Sequence, residues 1–430
     1  MTAPALAVTG LGAVSACGLG TPALLDAMRA GRVGIEAGAA LGLQASALAP
    51  LPDCDIARDA DALGIDATLA ANLQRHAHRA GQARRATLLA AAQAWCQAGS
   101  TAAADRVALI VSGSNLDQQG VAESMARAME GRAVRPGYAS DFMDTDHVGA
   151  VSEALGIRGE GYAIGGASAS GGVALAHARR ALLSGEVDAV LVVGVPMMLS
   201  NAELQALAAA GAMYRGSAPR AGECVCRPFD RAAAGFVYGQ ASAAMVLEPD
   251  AAVRGRGGRP LAHLAAAAMG LDANRSTNPS VQGEVSAMRR ALSQAGLDAA
   301  AIDLVSAHGT ASLLGDRTEA TALAEVFAEA GCRPAINMPK ALFGHCLASA
   351  GLLEAVALVL QMRAGFAHGN PALDTPIDDR LDWVRTHARA CRVVSAMSNS
   401  FGFGGINSSQ IFTLPQESPH EHKLDRRTSA

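Results

Sequence analysis

Aromatic residues make up only 3% of this 430-residue chain and charged residues only 17%. The first scarcity argues against stacking platforms for single-stranded nucleic acid. The second leaves no basic stripe for a phosphate backbone: the net charge is −4 and the arginines are dispersed. A local basic patch for an acidic protein partner remains compatible with that composition. No apolar run approaches the roughly 20 residues that a membrane helix needs, and Met1 to Gly20 lacks a basic leader ahead of an apolar core. The eight cysteines, Cys17, Cys54, Cys96, Cys224, Cys226, Cys332, Cys346 and Cys391, show no repeated CxxC spacing. Cys224 and Cys226 flank one residue, a weak metal signal without nearby histidines, so no metal site is expected. Free thiols in a reducing cytoplasm are the simplest reading. The expectation is a cytoplasmic protein with neither nucleic acid nor membrane among its partners.

What is present is a long, apolar chain. Half of the residues are hydrophobic, which suits a compact α/β protein of two or three domains or of two similar halves. Strand and helix patterns alternate along it. Ala5 to Thr9 reads as a strand running into Gly10-Leu11-Gly12, and Thr21 to Ala30 as a helix capped by Thr21. Residues 38 to 79 suggest a mostly helical cap. Arg84 to Ala98 and Gln118 to Met129 read as helices, and Val107 to Val111 and Ala189 to Val193 as strands buried on both faces. A helix over Asn201 to Ala210 and a strand over Ala243 to Glu248 complete a first half, residues 1–249. Residues 250–260, with three glycines, read as a connector. A second half, 261–414, holds helices at Ser286 to Ala295, Glu319 to Ala328 and Gly351 to Met362 and a strand at Ile302 to Ser306. Residues 415–430 are a polar tail.

Small residues crowd at Gly165-Gly166-Ala167-Ser168-Ala169-Ser170-Gly171-Gly172, between an extended run and a helix expected from Ala169 to Ser184. A side chain at the first turn of that helix would lie among unpaired backbone N–H groups, where negative charge is favoured. That suits a nucleophile, although the plainer reading of Ser168 is a helix-capping serine. In the second half His308 and His345 each stand beside a glycine near the end of a regular element. Taken singly, each reads as a buried histidine satisfied by hydrogen bonds, and Lys340 as a surface charge. The turn Asn399-Ser400-Phe401-Gly402-Phe403-Gly404-Gly405-Ile406-Asn407 would let backbone approach a ligand closely.

Taken together, these stretches resemble the β-ketoacyl synthase family of the thiolase fold. The resemblance rests on Val8-Thr9-Gly10-Leu11-Gly12, the Ser168 turn, and Pro228-Phe229-Asp230 continuing to Gly235-Phe236-Val237. His308-Gly309-Thr310 with Gly315-Asp316, Lys340 with Gly344-His345, and the glycine-rich turn at Phe401 complete it. It implies a five-layer αβαβα subunit made of two similar halves, usually a homodimer, acting on acyl groups carried by acyl carrier protein. Condensing members carry a cysteine where this chain has Ser168. A thiol with a pKa of about 8.5, lowered at a helix N-terminus, ionises near neutrality. A hydroxyl does not, and it would need a neighbouring base.

The resemblance also implies that His308 and His345 hold the thioester oxygen while carbon dioxide leaves, and that Lys340 tunes the local field. Thr310 and Ser312 match positions that hold the phosphopantetheine arm, and Phe401 and Gly402 shape the pocket near the substrate carboxylate. The runs around Ser168, Gln240 and Cys346 are similar to a branch of decarboxylating ketosynthase-like proteins of polyketide β-branching, in which serine replaces the cysteine. Members of that branch turn malonyl-carrier protein into acetyl-carrier protein, which a hydroxymethylglutaryl-CoA-synthase-like enzyme then uses. No cofactor is expected beyond the phosphopantetheine arm. Alternative readings are a non-catalytic chain-length-factor-like partner, a serine-dependent acyltransferase, and a cysteine-to-serine variant of a condensing 3-oxoacyl-ACP synthase. Ser168, a histidine and water all stay open as the source of the proton that the enolate takes up.

Overall fold

A computed structural model of the chain describes residues 5–38, 46–78, 80–275 and 277–415. The expected tail lies almost wholly outside these residues. In the first half the main strands are, in chain order, Leu6–Ser15, Val107–Ser112, Gly161–Ile164, Ala189–Gly194 and Ala241–Pro249. They lie side by side in the order third, second, fourth, fifth, first. In the second half Ala262–Leu271, Leu304–Ser306, Ala335–Asn337, Ser395–Gly402 and Ile406–Thr413 lie in the same order, with Asp382–Trp383 added at the outer edge. The parallel and antiparallel pairings match as well. The two first strands join antiparallel, with Ala7 opposite His263, so both sets form one continuous sheet.

Alternation along the strands explains the layering. Ala108, Ile110, Val190 and Val192 face a central core shared with the helices Ser170–Ser184 and Ala350–Ala364. Val107, Leu109, Val111, Leu191 and Val193 face an outer core with the helix Gln82–Ala98. A third core packs Val285, Met288, Leu323 and Phe327 of the helical segments after Ser280 and Ser312 against Val305, Met397 and Ile411 of the second half. The five layers are thus helix, sheet, helix, sheet, helix, a thiolase-like α/β fold. The stretch Leu347–Ala364 has the length and apolar character of a membrane span, yet 83% of it is buried inside the protein.

Several local expectations need correcting. Gly10 and Gly12 do not end the first strand; they lie inside it, where a Cβ would come within 1.9 Å of the Ala94 and Ala90 carbonyl oxygens. Bare backbone there lets the helix Gln82–Ala98 lie directly on the sheet. Thr21 is not a cap: the helix is Gly20–Ala30, and the Thr21 amide donates to Gln93. The stretch expected as a helical cap also holds the short strand Ala47–Ala49, which pairs with Glu36–Ala37 just before it. The connector contains a short helix, Asp250–Gly255. In the second half the helices begin earlier, at Val281 and Leu313, because Ser280 caps the first and Asp316 turns inward from the second.

Candidate active site

Ser168 sits in a tight 3₁₀ turn, Ala167–Ala169, that leads straight into the 15-residue helix Ser170–Ser184. Ala167 adopts a left-handed φ of 49°, which costs energy for a residue with a Cβ. Ser170 holds the turn in place: its Oγ accepts from Gly166 N–H at 2.8 Å and donates to the Ala167 carbonyl at 2.7 Å. Ser170 therefore tethers the turn, and Ser168 is free for another use. Its Oγ lies 2.9 Å from His345 Nε2, across 177 positions of sequence.

That encounter is set by glycines. A Cβ on Gly171 would fall 2.2 Å from the Leu352 amide nitrogen, and one on Gly351 would fall 2.5 Å from Ser400 Oγ and 3.1 Å from the Gly172 nitrogen. The two inner helices thus cross with their first turns in backbone contact. Gly402 approaches in the same way, since a Cβ there would lie 2.6 Å from the Gly166 carbonyl and 3.3 Å from the Ser168 nitrogen. The glycine-rich turn closes over the serine.

His345 is 2% exposed and fixed by backbone. Its N–H donates to the Val237 carbonyl at 2.7 Å, and its carbonyl accepts from Gly239 N–H at 2.9 Å. The ring orientation follows from a third bond: Nδ1 accepts from Leu347 N–H at 3.3 Å, so the ring proton sits on Nε2 and points at Ser168. His308 follows the strand Leu304–Ser306. Its amide and that of Gly309 both donate to Glu319 at 2.8 Å. Lys340 Nζ donates to the His308 carbonyl at 2.6 Å and stands 3.3 Å from its Nδ1. A lysine only donates, so His308 too carries its proton on Nε2. The two rings are 5.6 Å apart, edge to face, with Phe401 5.7 Å from His308 and Phe236 5.2 Å from His345.

Electrostatics keep both rings neutral. Burial, followed by the nearby Lys340 charge, holds each histidine well below the usual imidazole pKa. Lys340 is no surface charge; it is fully buried and paired with Glu354 Oε1 at 2.5 Å. Burial raises Glu354 to about 7 against the pull of Lys340. Asp316, pushed up to about 8 by burial, ties the loop after His308 by accepting from the amides of Phe229, Thr310 and Ala311. Thr310 and Ser312 lie on this loop, half-buried, their hydroxyls 2.9 Å apart. Gln240 lies behind the site, where it accepts from Leu51 N–H and donates to the Tyr238 hydroxyl.

The structure therefore gathers Ser168, His308, Lys340, His345, Phe401 and Gly402 at one place. Glu319, Glu354 and Phe236 are functional partners that sequence reading missed. Glu354 had a signal: it is the only acid in the helix Ala350–Ala364, which is otherwise almost wholly buried. Cys224 and Cys226 are free thiols, and among the described residues no group of three or more potential ligands could hold a metal ion.

A double-wound thiolase-like sheet, with a serine at one inner helix and two neutral histidines facing it, defines a thiolase-fold protein with a Ser-His-His centre. Residues 3–252 match the family model of the beta-ketoacyl synthase N-terminal domain and residues 261–374 that of its C-terminal domain. The chain belongs to the β-ketoacyl synthase family. It is 35% identical over 411 residues to the polyketide biosynthesis malonyl-ACP decarboxylase PksF of Bacillus subtilis, covering 94% of this chain and 95% of that one. Among solved structures it resembles the ishigamide ketosynthase/chain length factor, at 25% identity and a TM-score of 0.83. A β-ketoacyl synthase from Burkholderia phymatum superposes with the same TM-score of 0.83 at 26% identity. Each alignment covers 96% of this chain and 100% of the other.

Proposed function

We propose that this enzyme decarboxylates malonyl-acyl carrier protein to acetyl-acyl carrier protein, and that it does so without loading an acyl chain. One observation carries the reading. His345 touches Ser168 with an N–H, and its other ring nitrogen is already accepting from Leu347, so the serine has no base to make it a nucleophile. The apparatus for the other half-reaction is intact. Two Nε2–H donors converge from His308 and His345, suited to the oxyanion that develops on the thioester as carbon dioxide leaves. Each such donor is typically worth about 2.7 to 4 kcal/mol of transition-state stabilisation. Neutral rings suit this role, since they donate without surrendering a proton to the oxygen.

Thr310 and Ser312, on the same loop as His308, line the way for the phosphopantetheine arm, and Phe401 and Gly402 wall the carboxylate end. No cofactor enters this scheme. The similarity to a polyketide malonyl-ACP decarboxylase supports a role in β-branching, with a hydroxymethylglutaryl-CoA-synthase-like enzyme consuming the acetyl product in the cytoplasm. A homodimer is supported by the edge strand Gly161–Ile164, which runs into the Ser168 turn and whose outer side pairs with no strand among the described residues. Exposed Met125, Met129, Phe142 and Met143 lie in the segment just before it.

Incubation with malonyl-carrier protein, followed by intact mass of the carrier, tests the reading. Loss of carbon dioxide to give acetyl-carrier protein is the expected result. An unchanged carrier would overturn it, and an acyl ester found on Ser168 would make the protein a transferase.

A further inference from the structure

We infer that Ser168 is the acid that delivers the proton to the enolate carbon after carbon dioxide has left. The inference rests on the decarboxylase reading and goes one step past it, to the fate of the intermediate. The charged and ring donors around the pocket are already committed, and the other hydroxyls there, Ser312 and Ser400, lie on the loop after His308 and against Gly351 rather than beside His345. Lys340 has three N–H bonds and three neighbours to take them: Glu354, the His308 carbonyl and His308 Nδ1. The single ring proton of each histidine is on Nε2: that of His308 goes to the thioester oxygen, and that of His345 lies between this oxygen and Ser168 Oγ. Ser168 differs. Its Oγ accepts from His345 Nε2–H, so its own hydrogen must point elsewhere, and among the described residues no acceptor lies within hydrogen-bond reach of it.

The step balances as follows. The bond between the malonyl carboxylate and C2 breaks, and its electron pair forms the thioester enolate while carbon dioxide departs. Enolate C2 then takes the Ser168 hydroxyl proton, completing the methyl group of the acetyl thioester. The serine alkoxide so formed accepts from His345 Nε2–H at the N-terminus of the helix Ser170–Ser184, where negative charge is favoured. Water then returns a proton to the alkoxide, so one solvent proton is consumed per turnover. An alkoxide is a poor resting state but an adequate transient one, because a thioester enolate carbon is the stronger base.

This accounts for serine rather than cysteine at the turn. A thiol at that helix end would rest as thiolate and have no proton to give. A serine rests protonated, so the same position changes from electron-pair donor to proton donor.

The test is Ser168→Ala in the full-length protein, with malonyl-carrier protein as substrate and ¹³C-labelled carbon dioxide in the medium. With no acid at hand the enolate persists and recaptures carbon dioxide. Acetyl formation should fall about 10²-fold at unchanged KM, and the remaining malonyl-carrier protein should gain the label, which the native enzyme does not show. Acetyl formation at the native rate with no label return would overturn the proposal while leaving the decarboxylase reading standing. If the native enzyme releases no carbon dioxide from malonyl-carrier protein, the reading beneath it fails instead.

Discussion

The two halves share one backbone device and differ in what they mount on it. In the first, a left-handed Ala167 opens the 3₁₀ turn Ala167–Ala169, and a 15-residue helix with Gly171 in its first turn follows. In the second, a left-handed Leu347 opens the turn Leu347–Ser349, and a 15-residue helix with Gly351 in its first turn follows. The position matching Ser168 is Ala348. Each half therefore supplies a socket at a helix N-terminus, and only the first is filled with a reactive side chain. The second half uses the residues around its socket, His345 just before it and Lys340 before that, to act on whatever the first half holds. The two halves repeat one geometry, and a few differing side chains divide the labour between them.

The largest expected effect comes from removing that division on the second-half side. His308→Ala or His345→Ala should lower kcat for acetyl formation by 10² to about 10³, with KM changing far less, as steady-state assays would reveal. An equal loss in KM alone would mean that the histidines only bind. Next, Lys340→Met leaves Glu354 buried without its cation, a change that typically costs about 3 to 5 kcal/mol. Denaturant titration should find that loss, and adding Glu354→Leu should recover part of it.

A third prediction concerns the crossing. Gly171→Ala places a methyl group 2.2 Å from the Leu352 amide nitrogen, a backbone atom of the other helix, so the helices must part and Ser168 must leave His345. Displacements of about 1 Å can cost 10²-fold in rate. Gly331→Ala, left-handed but in open space, serves as the control and should affect folding stability alone. A fourth uses the first-half socket: Ser168→Cys should restore acyl loading, seen as a mass increase on the protein after incubation with an acyl thioester. No adduct would mean that more than one residue separates this enzyme from condensation.

The smallest effect is on acid stability. His147 and His368 are buried with pKa values lowered to about 4, and His308 and His345 are lowered as well. Each lowered histidine binds its proton at higher pH when unfolded, near 6.5, than when folded. Stability is then full above about pH 6.5 and declines as pH falls below it. At pH 5.5 the loss should be about 1 kcal/mol for each of His147 and His368. It is read as a weaker acid-side loss in His147→Gln and His368→Gln than in the native protein, a comparison in which the opposite contribution of the raised Asp316 and Glu354 carboxyls cancels. The same pH dependence in variant and native protein would disprove burial of that histidine in the neutral form.

Much of the site was legible only from its motifs taken together: singly, Ser168 reads as a helix cap, His308 and His345 as buried histidines and Lys340 as a surface charge, and the family resemblance joins them. The strand and helix alternation carried the α/β class, and the resemblance supplied the five layers. What stayed hidden was long-range. Nothing near Gly10 or Gly12 in sequence announces that a helix some 80 residues later lies on them. Glu319 looks like an ordinary helical glutamate until His308 and Gly309 are seen to hang from it. The early starts of the helices at Val281 and Leu313 were missed because their first turns carry polar residues that face inward to other elements.

The glycine crossing has one further consequence. Because backbone rests on backbone at Gly171 and Gly351, the place occupied by residue 168 owes nothing to the size or polarity of its own side chain. Such a position is interchangeable: its occupant can be exchanged, and the reaction with it, while the surrounding frame stays where it was. New chemistry at this turn requires no refolding, only a different plug in a socket that the main chain already holds open.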